Sequence, residues 1–177
     1  MRLTKVIPEF IPLELAEKHA NRMDSSLELG HDDHIQSMPD CLAWYGLHWD
    51  LLEECTERMS SISGLPLVAT YDYSRIYRTG NSLAPHIDRP SCEVSVTLNL
   101  RSVGGKWEFC WDTGKFAMGA GDALVYTGCN VEHWREENPI DSVYQVFLHY
   151  VNSEGPYADR ANEYMVRYPK DVTYRGD

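Results

Sequence analysis

The sequence is short of the features that tie a chain to a membrane, a nucleic-acid backbone or a disulfide framework. No apolar run approaches the roughly 20 residues needed to span a bilayer. Residues 1–18 mix charges and prolines and lack the apolar centre and small-residue cleavage site of a secretory signal, so a cytoplasmic protein is the default expectation. Cysteine is limited to Cys41, Cys55, Cys92, Cys110 and Cys129. The number is odd and no two form a CxxC, which argues against both a disulfide set and a cysteine zinc site and leaves reduced, mostly buried thiols. Basic residues are outnumbered, 16 Lys and Arg against 27 Asp and Glu, for a net charge of −11 and a pI near 5.0. No basic stripe is present to grip phosphates, which disfavours nucleic acid as a partner. Arg75, Arg78, Arg89 and Arg101 leave room for a local positive mouth near the site described below. Internal repeats, low-complexity segments and linkers are also missing. With 177 residues, the chain is expected to form one domain with its own core.

What is present divides into a helical part and a strand-rich part. The spacing of Leu13, Ala16, Ala20 and Met23 predicts a helix over residues 12–24, opened by a proline. A polar stretch, 25–40, reads as a loop. A second helix is expected over about 40–62, with Leu42, Trp44, Leu47, Leu51, Leu52, Cys55 and Met59 as its apolar face and Gly64-Leu65-Pro66 as its stop. From residue 66 the chain is rich in β-branched and aromatic residues. Strands are expected near 66–78, 92–100, 106–111, 122–127, 130–134 and 143–151, with a turn at Thr79-Gly80-Asn81. Residues 92–100 alternate strictly, with Val94, Val96, Leu98 and Leu100 on one face. Several short strands beside two helices suggest a mostly β fold, a sandwich or barrel with supporting N-terminal helices. The helical support covers about 1–65, the β core about 66–151, and the tail 152–177.

Chemistry concentrates at His86, Asp88 and His133. Residues two apart on an extended strand point to one face, so His86 and Asp88 can reach the same ion. His133 stands well downstream, near the end of another expected strand. Two imidazoles and one carboxylate on one face of an octahedral ion leave three positions open, the facial triad of non-haem Fe(II) sites. With 7 histidines and 27 acidic residues in 177, chance alone supplies about one His-x-acid pair; the bland alternative is a histidine hydrogen-bonded to a carboxylate. A competing pair in His31-Asp32-Asp33-His34 lies in the polar loop and reads as a solvated cluster or an adventitious metal site.

The surroundings of the triad carry a resemblance. YSRIYRTGNSLAPHIDRPSCEVSVTLNL, then GDALVYTGCNVEHWRE, then QVFLHYV resemble the double-stranded β-helix (jelly-roll) core of the 2-oxoglutarate/Fe(II)-dependent oxygenases, and within them the prolyl-hydroxylase-like branch. The likeness spans about residues 66–151 and includes Tyr77 to Gly80 ahead of the His-x-Asp and Gly121-Asp122 ahead of the distal His. It implies Fe(II) held by His86, Asp88 and His133, 2-oxoglutarate as co-substrate, and dioxygen. It also implies that Tyr77, nine residues before His86, hydrogen-bonds 2-oxoglutarate; the alternative is a plain core tyrosine. Tyr71, Tyr73 and Tyr126 read as ordinary sheet aromatics.

The co-substrate's distal carboxylate needs a cation. The branch places one on the strand after the distal His, where this sequence has Ser142, Val143 and Tyr144. Arg135 is the first substitute and Lys106 the second; Arg135 could instead pair with Glu132, Glu136 or Glu137. Asp88 favours hydroxylation over halogenation, since related halogenases lack the acidic ligand. Trp107, Trp111 and Trp134 either shape the mouth or belong to the core, and Arg89 faces substrate or solvent. The resemblance implies hydroxylation of a C–H bond, in a prolyl residue of a peptide or protein, or in a free amino acid or other small molecule. Residues 25–40 and 78–84 are the candidate mobile loops for a peptide. Two other classes stay open: a metal-binding jelly roll without oxygenase activity, such as a cupin-type isomerase, and a silent binding module that kept the fold.

Overall fold

The structure, a computed structural model, describes residues 1–32 and 40–161. In chain order its elements are β1 (Thr4–Ile7), α1 (Leu13–Asp24), β2 (His31–Asp32), β3 (Leu42–Tyr45), α2 (Trp49–Ser63), β4 (Leu67–Arg78), β5 (Leu83–His86), β6 (Val94–Val103), β7 (Trp107–Trp111), β8 (Gly114–Met118), β9 (Ala123–Tyr126), β10 (His133–Arg135) and β11 (Ser142–Asn152). Two antiparallel sheets form a jelly roll, ordered β1-β9-β6-β11-β4-β3-β2 and β5-β10-β7-β8. The fold is mostly β with two supporting helices, as the sequence suggests.

The helices cover the outer face of the larger sheet. Ala16, Ala20 and Met23 of α1 and Leu51, Leu52, Cys55 and Met59 of α2 share a core with Val94, Val96, Leu98 and Leu100 of β6 and Val146, Leu148 and Tyr150 of β11. Leu13, expected on the buried stripe, is 65% exposed. Arg101 fastens α1 to β6 through Glu17 and Asp24, both at 2.6 Å, so it faces the helices and not the candidate site. The second helix begins at Trp49, later than residue 40. Leu42 and Trp44 belong to the helix-side core while Cys41, Ala43 and Tyr45 belong to the inner cluster. That period of two makes a strand, paired to β4 from Leu42↔Ile76 to Tyr45↔Tyr73. Gly46, at φ +72°, turns the chain from β3 toward α2 in a conformation that glycine adopts without steric cost.

The inner face of the larger sheet is polar. Alternation along β6 turns Ser95, Thr97 and Asn99 inward, and β11 adds Gln145 and His149, all buried. They bond to one another: Gln145 donates to Thr97 Oγ1 at 2.6 Å, and Ser95 Oγ lies 2.8 Å from His149 Nδ1. On β4 the inward set is Tyr71, Tyr73, Arg75 and Tyr77. A one-residue bulge at Thr70, between the pairs Tyr71↔His149 and Ala69↔Tyr150, is what moves Ala69 to the helix side and the tyrosines to the inside.

Candidate metal centre

β5 and β10 bring the two histidines face to face. His133 is the cross-strand partner of His86, and their ring centroids are 4.3 Å apart. Asp88 lies just past the end of β5, where its N–H donates to Gly128 O at 2.9 Å. Asp88 Oδ1 is 3.6 Å from Nε2 of both His86 and His133. The three donors sequence spacing suggested are thus within reach of one ion.

Both imidazoles are set as ligands. His86 Nδ1 lies 2.8 Å from Ala84 O and His133 Nδ1 2.9 Å from Val131 O. A carbonyl can only accept, so Nδ1 carries the proton and the Nε2 lone pair points at the site, the arrangement typical of metal-bound histidine. Burial works against ionisation of Asp88, but interactions led by the contact with His86 outweigh it and hold the carboxyl below its ordinary range. Burial lowers His133, only partly offset by Asp88, whereas at His86 the contacts with Asp88 and the Ala84 carbonyl outweigh burial and raise it. A metal bound at both would take the place of the proton on His86. Asp88 Oδ2 is buried without a hydrogen-bond partner among the described residues, and a Cβ on Gly128 would sit 2.4 Å from it. This donor set fits a divalent iron.

A cavity of about 260 Å³ opens beside the triad. Its wall includes Arg75, Arg89, Tyr71, Tyr73, Tyr126 and His149. Arg75 and Arg89 were expected at a positive mouth, Tyr71, Tyr73 and Tyr126 were read as ordinary sheet aromatics, and His149 was not singled out; Tyr126 packs on His133 with centroids 4.7 Å apart, and Arg75 donates to Tyr77 Oη at 3.0 Å. Inward alternation on β4 and β11 was the available signal. Arg89 is exposed at the mouth, 4.8 Å over the Tyr71 ring, next to Ile87, which is 60% exposed.

Tyr77 and Arg135 lie side by side, one layer behind Arg75. Arg135 is 1% exposed and packed against the rings of Trp107 (4.3 Å), Phe109 (5.2 Å) and Tyr77 (5.7 Å). It donates to Gln145 Oε1 at 3.0 Å, while Nε and Nη1 have no hydrogen-bond partner among the described residues. Neither Glu132, Glu136 nor Glu137 pairs with it; Glu136 takes the indole N–H of Trp134 instead. Burial pulls its pKa down to about 10, which leaves it a cation at neutral pH. None of Tyr77, Arg135 and Lys106 lines the cavity itself; the first two reach it through Arg75, which bonds Tyr77, whereas Lys106 is 61% exposed and 3.9 Å from Asp122, and does not join them. Trp107 is core, and Trp111 and Trp134 are half-buried away from the cavity. In the rival histidine cluster, His31 stacks on Tyr45, and Asp33 and His34 lie outside the described residues.

No family model matches the sequence, nor does any curated protein. Solved structures do. A Pseudomonas putida prolyl-4-hydroxylase is 15% identical with a TM-score of 0.66, over 84% of this chain and 92% of that one. HygX from Streptomyces hygroscopicus, solved with nickel and 2-oxoglutarate, is 12% identical with a TM-score of 0.66, over 85% and 83%. SnoN, a non-heme alpha-ketoglutarate-dependent epimerase from nogalamycin biosynthesis, is 11% identical with a TM-score of 0.67, over 85% and 78%. The chain therefore has the fold of the 2-oxoglutarate/Fe(II) oxygenase superfamily, prolyl-hydroxylase-like members included. Likeness at this level of identity is one of fold, and within that fold His86, Asp88 and His133 form a donor set able to hold a metal ion.

Proposed function

We propose that this protein is an Fe(II)- and 2-oxoglutarate-dependent dioxygenase that hydroxylates a C–H bond. The observation that carries it is the triad, with Asp88 Oδ1 at 3.6 Å from two imidazole Nε2 atoms whose other nitrogens are held by backbone carbonyls. Iron with 2-oxoglutarate, when bound there, couples the oxidative decarboxylation of the oxo acid to substrate oxidation: R–H, 2-oxoglutarate and dioxygen give R–OH, succinate and carbon dioxide. His86, Asp88 and His133 hold the ion. Arg135 supplies the charge for the distal carboxylate, since a buried guanidinium with two unpaired N–H groups and no acidic neighbour calls for an anion. Tyr77 donates its hydroxyl proton to the same carboxylate, and Arg75, bonded to Tyr77, extends the positive wall toward the cavity. The polar inner face orients the co-substrate, and the tyrosines at the mouth exclude water from it.

The first substrate to test is a prolyl residue in a peptide, whose ring would lie on the aromatic wall of Tyr71 and Tyr73. A free amino acid or other small molecule is the second reading, favoured by fold likeness to HygX and SnoN as close as that to prolyl hydroxylases. Succinate release should depend on Fe(II), 2-oxoglutarate and dioxygen, rise with the true substrate and vanish in His133→Ala. Absence of succinate under every substrate class would overturn the assignment.

A further inference from the structure

Asp88 faces a second set of donors. While Oδ1 approaches the two histidines of the triad, Oδ2 is buried and accepts no hydrogen bond from any described residue. An unpartnered buried carboxylate oxygen is costly, and its presence asks for a missing partner. Cys92, at the end of the short helical turn Pro90–Cys92, and His149 from β11 stand beside the Asp88 carboxylate. One ligand atom each from Asp88, Cys92 and His149 lie within 4.8 Å of one another, and all three residues line the same cavity. Ser95 Oγ holds His149 Nδ1 at 2.8 Å, which leaves Nε2 for a ligand. The Tyr71 hydroxyl fixes Cys92 Sγ at 3.0 Å. A thiolate, an imidazole and a carboxylate suit a thiophilic ion of the zinc type, whereas the nitrogen and oxygen donors of the triad suit iron.

We propose that Asp88, Cys92 and His149 form a second metal site for a thiophilic divalent cation, zinc or cadmium, which shares the Asp88 carboxylate with the triad and so competes with iron through the repulsion of two like charges across it. Binding replaces the Cys92 S–H bond by a metal–sulfur bond and releases one proton to solvent. The site stands on its own donors and rests on the proposed function only in naming iron as the ion displaced. It would make the enzyme sensitive to zinc through a residue that the triad does not contain.

Cadmium titration of metal-free protein tests it, read by the ultraviolet thiolate-to-cadmium charge-transfer band. The band should reach one equivalent in the wild type and in His133→Ala, be lost in Cys92→Ser, and need at least roughly tenfold more cadmium in His149→Gln. X-ray absorption at the zinc edge of the wild type, which needs no variant to fold, should find one sulfur neighbour. Cadmium-loaded wild type should fail to develop the iron–2-oxoglutarate absorption. A site without sulfur, an undiminished band in Cys92→Ser, or iron and cadmium bound together would overturn the proposal. Absence of the iron–2-oxoglutarate absorption from metal-free protein given iron would instead count against the oxygenase reading and leave the cadmium result standing.

Discussion

Gly128 has no part in the chemistry, yet the triad cannot close around a side chain there. A Cβ would lie 2.4 Å from Asp88 Oδ2, 2.4 Å from Cys92 O and 2.9 Å from Asp88 Cβ. Ordinary contact begins near 3.4 Å, so Gly128→Ala must displace Asp88 or the loop by about an ångström. The loop cannot simply withdraw, because Gly128 O accepts the Asp88 N–H at 2.9 Å and would carry Asp88 with it. The carboxylate then leaves its place opposite the two imidazoles. Loss of ligand positioning typically weakens metal binding by about 10–100-fold, and overpacking costs about 1–3 kcal/mol of stability. Anaerobic titration with Fe(II) or Mn(II), alongside thermal unfolding, measures both. Gly80→Ala is the control: Gly80 has φ +84° with open space around it, so alanine there should cost roughly 1–2 kcal/mol and leave metal affinity alone. Metal affinity in Gly128→Ala equal to the wild type would refute the reasoning.

Other outcomes follow from the same geometry. Arg135→Met should raise the 2-oxoglutarate Kd by about 30-fold or more, the loss expected for one partner of a buried charge pair, with metal affinity unchanged by titration; Lys106→Met should change neither. Tyr77→Phe should weaken 2-oxoglutarate by about 3–10-fold, one hydrogen bond's worth. Under α2, burial raises Asp72 to about 7 and lowers His19 to about 4. A raised carboxyl contributes stability that is complete below its unfolded pKa of 3.8 and lost as pH rises through about 7. A lowered imidazole contributes stability that is complete above 6.5 and lost as pH falls toward 4. The two slopes oppose one another between these values. Asp72→Asn keeps the acceptor for the His48 N–H and removes one slope, so stability should rise with pH from 4 to 7 and exceed the wild type by a few kcal/mol at pH 8. Urea unfolding at several pH values checks it; a flat profile for the variant would contradict the assignment.

The three candidate metal donors, which the structure brings together, were legible by chemistry and spacing: an His-x-Asp followed by a distant histidine in strand-rich surroundings admits few arrangements. The alternation of β6 was equally plain, although not which face turned inward. Residues 42–45 misled because Leu42 and Trp44 continue the apolar stripe of α2 in a helical count, and only pairing with β4 decides for a strand. Short strands such as β1, β2 and β5 carry too few residues to show a period. The cavity wall was hidden for another reason. Tyr126 and His149 come from strands far apart in sequence, and only sheet register brings them beside the triad, whereas Arg75 was already expected near it. Arg135 was named from its two-residue offset to His133, but its lack of an acidic partner is visible only in three dimensions.

The most direct test of the central claim is anaerobic visible absorption of the metal-free protein on addition of Fe(II) and then 2-oxoglutarate, with His133→Ala alongside. It requires no knowledge of the substrate. The account predicts a broad metal-to-ligand charge-transfer band that appears only with both additions and is absent from the variant. A wild-type protein that binds iron yet shows no band would contradict it.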